Sequence, residues 1–216
     1  MNRLLIYLSL LALSVGAAKA QTDADRISYP DYQEDVFMDM DLPQNIVTPE
    51  IPVQAQAAII NHQRKLANRL KHKYTVDLMH NDAVFVVCLP TDDLFLPNDT
   101  LLTDNASSVL NPLLDLMKDP YMYKILLAVH TDDTGSENYR QDLSTARIYS
   151  IYDWMLDAID RGRISEDLVI IPYSMGSSEP IVKNDTRKHR KENRRLEIYF
   201  VPGPKMISLA KERKLK

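Results

Sequence analysis

Two uninterrupted apolar runs dictate what this chain can fold into. Val84-Phe85-Val86-Val87-Cys88-Leu89 and Ile125 to Val129 have the length of buried strands. Leu168 to Ile171 reads as a third strand, and Leu196 to Val201 alternates well enough to lie beside them as a fourth. Helical patterns fall between the strands. Asn105 to Met117 puts Val109, Leu110, Leu113, Leu114 and Met117 on one side and stops at Asp119-Pro120, while Tyr139 to Ile159 predicts a longer helix. Strands alternating with helices predict an α/β (α+β) domain, a sheet of about four strands covered by helices, over residues 81–203. Cys88, inside a strand, reads as a small buried hydrophobe.

The segments around this domain differ from it. Residues 1–20 form an expected signal peptide, with a basic start at Arg3, an apolar stretch from Leu4 to Ala18, and the small-x-small cleavage pattern Ala18-Lys19-Ala20. The apolar stretch is shorter than the roughly 20 residues of a membrane span. No cysteine stands just after it to accept a lipid. Residues 21–54 read as an acidic flexible leader, rich in Asp and Glu and broken by Pro30, Pro43 and Pro49, with little to bury. Residues 55–80 read as a basic amphipathic helix and linker whose apolar face, with Ile59, Ile60, Leu66, Ala67 and Leu70, packs on its own domain. The tail, 204–216, carries Lys211, Arg213, Lys214 and Lys216 and reads as a solvated basic end.

Charge and cysteine count exclude several classes. Removing Arg3 and Lys19 from 26 basic side chains leaves 24 against 30 acids, a formal charge of −6, which opposes a generic nucleic-acid binder. The single cysteine excludes an internal disulfide framework and a multi-thiolate zinc site.

One stretch carries chemistry. The predicted strand Ile125–Val129 runs into His130-Thr131-Asp132-Asp133-Thr134-Gly135-Ser136, short polar residues of the kind that build ligand loops at a rigid sheet edge. The following helix has an apolar stripe at four-residue steps, Leu143, Arg147, Ile151, Met155 and Ile159, in which Arg147 is out of place. A buried guanidinium must find an anion, and its fork suits a carboxylate. Arg140 and Ser144 lie on about the same side of the helix. The pattern leaves two readings open: Asp132 or Asp133 pairs with Arg147 and ties loop to helix, or Asp132 and Arg147 grip opposite ends of a ligand bearing both an ammonium and a carboxylate.

Further residues extend this pattern. His130-Thr131-Asp132, Thr134-Gly135, Leu143-Ser144 and Arg147 are followed by Pro180, Asn184, Thr186, Arg190 and Asn193-Arg194-Arg195-Leu196-Glu197-Ile198. With these motifs in order and spacing, the segment from about Leu94 to Phe200, about half of the chain, resembles the OmpA-like peptidoglycan-binding domain family. The resemblance implies the OmpA-C-like mixed sheet and non-covalent binding of peptidoglycan through the diaminopimelate of its peptide stem. It implies that Asp132 takes the ammonium, that Arg147 takes the carboxylate, and that Thr131 and Arg194 line the same pocket. The chain departs from the family at Arg140, where asparagine is usual, and at His189 and Val129, where glycine is usual. Arg140 is expected either to strengthen carboxylate binding or to crowd the ligand, and His189 to alter the turn before Arg190.

Rival chemistries are weaker. His130, Asp132 and Asp133 are nearly adjacent in sequence, and such residues seldom converge on one metal ion. No G-x-S-x-G nucleophile motif is present, and Ser174 to Ser178 reads as a loop. The basic run Arg187 to Lys191 reads largely as a solvated helix face. The expectation is a non-enzymatic periplasmic protein, associated with the outer membrane, that uses no cofactor and no nucleic acid. Its partners are peptidoglycan and an outer-membrane or envelope protein met through the N-terminal extension. The alternative is an envelope assembly module of the same fold that no longer binds the wall.

Overall fold

The computed structural model describes residues 34–216. The expected signal peptide and the first part of the expected leader lie outside these residues. Among the described residues no helix is long and apolar enough to cross a membrane.

The chain runs α1 (Glu34–Met38), α2 (Leu42–Ile46), α3 (Val53–Leu70), β1 (Thr75–Met79), β2 (Val84–Pro90), a 3-10 turn (Thr91–Asp93) and α4 (Ala106–Leu114). It continues through β3 (Tyr123–His130), α5 (Glu137–Asp160), β4 (Ile170–Gly176), α6 (Arg187–Asn193), β5 (Arg195–Pro202) and α7 (Pro204–Lys211). The strands form one sheet in the order β1-β2-β5-β3-β4. Neighbours are antiparallel except β3 and β4, which run parallel. The sheet is therefore mixed, with five strands rather than four. The added strand, β1, holds Asp77 and exposes Thr75, Asp77 and Met79, so its apolar signal is only partial. It sits at the sheet edge, where pairing with β2 alone is enough to form it.

The continuous apolar runs are explained by a sheet covered on both faces. On one face Phe85, Val87, Leu89, Ile125, Leu127, Val129, Ile198 and Phe200 pack with α3, α4, α5 and α7. On the other, Val84, Val86, Leu126, Ala128, Tyr199 and Val201 pack with Phe37 and Leu42. The ring of Phe85 stacks on Phe200 at 4.4 Å.

Three sequence expectations change here. Residues 34–54 are not a loose leader, because Phe37 (0% exposed), Leu42 and Asn45 close the second face of the sheet. This small strap is pinned by polar contacts: Asn45 Nδ2 donates to the Phe37 carbonyl (2.7 Å) and to the Tyr173 hydroxyl, which in turn donates to the Met40 carbonyl (3.0 Å). Lys124, wholly buried beneath the strap, donates to Asn45 Oδ1 (2.7 Å) and lies 4.1 Å from the centre of the Phe37 ring. Burial pushes its pKa down to about 7. Second, the tail is not merely solvated. Pro204 starts α7 at a position where a missing N–H costs nothing, and Met206, Ile207 and Ala210 are buried in the helical layer. Third, Ser174 to Gly176 belong to β4 rather than to a loop, since the parallel register pairs Val129 with Ser174 and His130 with Gly176.

If the strap is part of the fold, Phe37→Ala leaves a cavity and removes a large buried side chain. Urea unfolding is expected to show a loss of about 3 kcal/mol. A change below about 0.5 kcal/mol, typical of surface substitutions, would place the segment outside the cooperative unit.

Candidate functional site

The end of β3 and the start of α5 frame a cleft of about 450 Å³. Its walls come from four places: the loop after β3 (Thr131, Asp132, Thr134), the first turns of α5 (Tyr139, Arg140, Leu143, Arg147), the segment after the 3-10 turn (Phe95 to Asn98), and Asp92, Arg187 and Arg194. All five residues singled out in the sequence, Asp132, Arg147, Thr131, Arg194 and Arg140, thus border one cavity.

Local chemistry shapes the loop. Asp132 Oδ1 accepts from the backbone N–H of Thr134 (2.8 Å), turning the chain away from the sheet. Gly135 follows with φ of +86°, and a Cβ there would meet the Tyr139 ring at 2.8 Å, so glycine is required twice over. Ser136 then caps α5 by accepting from the Tyr139 N–H (3.2 Å). Ser144, buried on the same helix, docks it to β4 by accepting from the Gly176 N–H (3.0 Å) and bonding the Ser174 hydroxyl (2.7 Å).

Arg147 is buried (4% exposed), as its place on the apolar stripe predicts, but it does not pair with Asp132 or Asp133. Its Nε donates to the Asp99 carbonyl (2.9 Å) and its Nη2 to the Leu96 carbonyl (3.3 Å). The guanidinium lies 4.9 Å from the centre of the Phe95 ring. Burial lowers its pKa, and the nearby charge of Asp92 partly offsets that. Two carbonyl dipoles and a ring face hold this cation, and no carboxylate among the described residues is bonded to it.

Asp132 instead pairs with Arg194: Nη1 donates to Oδ2 at 2.7 Å. Arg194 also forms a two-pronged pair with Asp92, Nε to Oδ1 (2.9 Å) and Nη2 to Oδ2 (2.8 Å). These carboxylates raise the pKa of Arg194, chiefly through the Asp92 hydrogen bonds. Burial opposes ionisation of Asp132, but the hydrogen bonds from Thr134 and Arg194 outweigh it and hold the pKa below the usual value. Asp92, Phe95 and Tyr139 are members of the cleft that the sequence reading missed. Asp92 carries a possible signal, an acid directly after a strand, but its partner lies 102 residues away.

Two departures from the family pattern have a place in the structure. Arg140 lines the cleft and is bonded to no carboxylate among the described residues. Its Nη1 donates to the carbonyls of Gly135 (2.6 Å) and Asp133 (3.3 Å), stapling the loop to α5. His189 lies inside α6 rather than in a turn, its N–H given to Thr186 Oγ1 (3.0 Å) and its ring bonded to Asp185. The later motif residues build the support for Arg194. Asn193, fully buried, accepts from the N–H groups of Ile181 and Val182 and donates to Asn184, while Arg190 donates to the Asn184 carbonyl.

His130 points away from the cleft. Its Nε2 bonds Glu197 Oε2 (3.2 Å), and Arg195 and Tyr199 both donate to the same carboxylate. Among the described residues no three His, Cys, Asp or Glu side chains group to hold a metal. Two buried polar atoms on cleft residues have no hydrogen-bond partner among the described residues, Thr131 Oγ1 and Arg140 Nε. Cys88 is half-buried, and burial raises its thiol pKa to about 12, so it is not a reactive thiolate.

The helix-covered mixed sheet thus carries a charged cleft at one strand end, and comparison with known proteins shows what this domain is similar to. Residues 94–194 match the model of the OmpA family, so this stretch is an OmpA-family domain. The outer-membrane lipoprotein YfiB of Pseudomonas aeruginosa is 36% identical over 80 residues, which are 37% of this chain and 44% of that protein. The match therefore spans less than half of that relative. Among solved structures, a MotB-like protein from Desulfovibrio vulgaris shares the fold, with a TM-score of 0.53 at 22% identity, over 68% of this chain and 95% of the other. The cell wall anchor of the T6SS from Pseudomonas aeruginosa aligns at 25% identity, TM-score 0.49, over 64% and 95% of the two chains.

The Glu197 cluster yields a pH prediction. Burial opposes its ionisation, yet the bonds from His130 and the charge of Arg195 hold its pKa at about 2, below the ordinary 4.5. A depressed carboxylate pKa adds stability that is complete above pH 4.5 and is lost as pH falls towards about 2. Denaturation curves across that window are expected to lose on the order of 3 kcal/mol in the wild type from this group, and Glu197→Gln should flatten that slope. An unchanged slope in the variant would contradict the assignment.

Proposed function

We propose that this chain is a non-catalytic cell-envelope protein of the periplasm that binds peptidoglycan through the diaminopimelate of its peptide stem. Asp132 receives the ammonium of that residue and Arg147 its carboxylate. Thr131 and Arg194 line the same site, and Arg140 holds the loop that carries Asp132.

The observation that carries this reading is the state of Arg147: a buried guanidinium on the wall of an open cleft, held by two carbonyls and a ring, with no carboxylate among the described residues bonded to it. A ligand carboxylate supplies what the protein does not, and the fork geometry favours a planar anion. The unpartnered Thr131 hydroxyl and the acid Asp132 on the same cleft supply the polar complement. The alternative, an assembly module in which Asp132 and Arg147 neutralise each other, rests on an ion pair that these residues do not form. An envelope location is supported by the export pattern of residues 1–20 and by the outer-membrane relative. The N-terminal extension is the natural contact for an envelope partner.

Sedimentation with insoluble peptidoglycan tests the reading. Wild type is expected to pellet with the wall. Asp132→Ala and Arg147→Ala should each weaken binding by roughly tenfold to a hundredfold, the loss of one charge-assisted hydrogen-bonded contact. Melting curves of both variants separate this effect from unfolding. Undiminished pelleting of both folded variants overturns the site, and a wild type that stays in the supernatant favours the assembly module.

A further inference from the structure

We infer that Arg194 competes with the ligand for Asp132, and that Asp92 is a specificity-determining residue because it restrains that competitor. The inference rests on the reading above, in which Asp132 is the ammonium acceptor.

Asp132 is 7% exposed and has few free directions. Oδ1 is taken by the Thr134 N–H and Oδ2 by Arg194 Nη1 at 2.7 Å. An incoming ammonium must therefore share Oδ2 or displace the guanidinium from it. Arg194 meets the two acids unequally. Asp92 holds it by two parallel bonds of 2.9 and 2.8 Å, whereas Asp132 receives a single bond from the remaining nitrogen. Two parallel bonds orient a guanidinium and outweigh one. Giving up the Asp132 contact thus leaves Arg194 still paired, and giving up Asp92 would not.

The charge count agrees. Asp92 and Arg194, paired by two bonds, cancel one another, so Asp132 keeps its negative charge for an ammonium. With Asp92 neutralised, the remaining pair is balanced, and Arg194 has Asp132 as its only carboxylate. Arg140, Arg147 and Arg187, on the same cleft, then leave the ammonium end without a net negative site. Asp92 acts through Arg194 and so is a positioning residue. At the carboxylate end of the ligand, Asp92 makes no hydrogen bond to Arg147, and its negative charge opposes rather than aids a carboxylate there.

The test uses the mature chain and two probes: the tripeptide L-Ala-γ-D-Glu-meso-diaminopimelate, and the same tripeptide acetylated on the side-chain amine, which has no ammonium there. Calorimetric titration gives the affinities. Arg194→Gln is expected to bind the tripeptide several-fold more tightly than wild type and the acetylated probe equally well. Asp92→Asn should bind the tripeptide about tenfold more weakly, with no loss of affinity for the acetylated probe. In the Arg194→Gln background, Asp92→Asn should change affinity less than about twofold, because its effect passes through Arg194. A weakened Arg194→Gln for both probes would make Arg194 a holder of the ligand and overturn the inference. So would an Asp92→Asn effect that persists without Arg194. If Arg194→Gln does not fold, wild-type NMR decides. The Arg194 guanidinium signals should move with the tripeptide and not with the acetylated probe, and equal shifts overturn the idea. Failure of wild type to bind the tripeptide overturns the parent reading and this one together.

Discussion

Arg147 is buried, and among the described residues no carboxylate hydrogen-bonds to it. Taking a guanidinium out of water is costly, and the structure meets that cost by bending the segment after the 3-10 turn until the carbonyls of Leu96 and Asp99 reach it. The Phe95 ring lies close to the guanidinium, and Ser150 and Tyr139 add bonds to Thr100 and Asn98 that fasten the same segment to α5. The cleft is the space between that segment and the loop after β3. Its existence therefore depends on a cation that is satisfied geometrically but not neutralised. Arg147 has two tasks, holding one wall of the cleft and presenting charge to it, and the bonds that do the first leave Nη1 without a partner among the described residues.

The opposite wall is built on β3. Its eight residues are all buried, because the sheet has helices on one face and the strap on the other. A strand held that firmly ends in a loop whose position is well defined, and the Asp132 turn, Gly135 and the Arg140 staple fix the remaining freedom. Behind the loop, the Glu197 cluster holds the His130 ring by one hydrogen bond, directed away from the cleft. Rigidity of this kind keeps the carboxylate of Asp132 and the guanidinium of Arg147 in place before any ligand arrives.

Much of this was legible in the sequence where periodicity was strong. The buried strands and the long helix follow from apolar runs, and Arg147 announced itself by interrupting a stripe. What escaped detection depends on distant partners. Edge strand β1 exists only through β2, and the strap reads as loose because Phe37, Leu42 and Asn45 are scattered among acids and bury themselves only against a sheet made later in the chain. The expected alternative, an Asp132–Arg147 pair, failed for a similar reason. Helical spacing puts Arg147 near the loop, but nothing in the spacing shows that Arg194, 62 residues from Asp132, reaches the acid first. Arg140 was read by charge alone, whereas its position one turn into α5 lets it reach the loop carbonyls.

The most direct measurement is a crystal structure of the chain with the diaminopimelate tripeptide bound. The side-chain ammonium is expected within about 3 Å of an Asp132 oxygen, with a carboxylate forked on Arg147 at hydrogen-bonding distance. A ligand bound elsewhere, or one that leaves Arg147 held only by Leu96 and Asp99, would contradict this expectation.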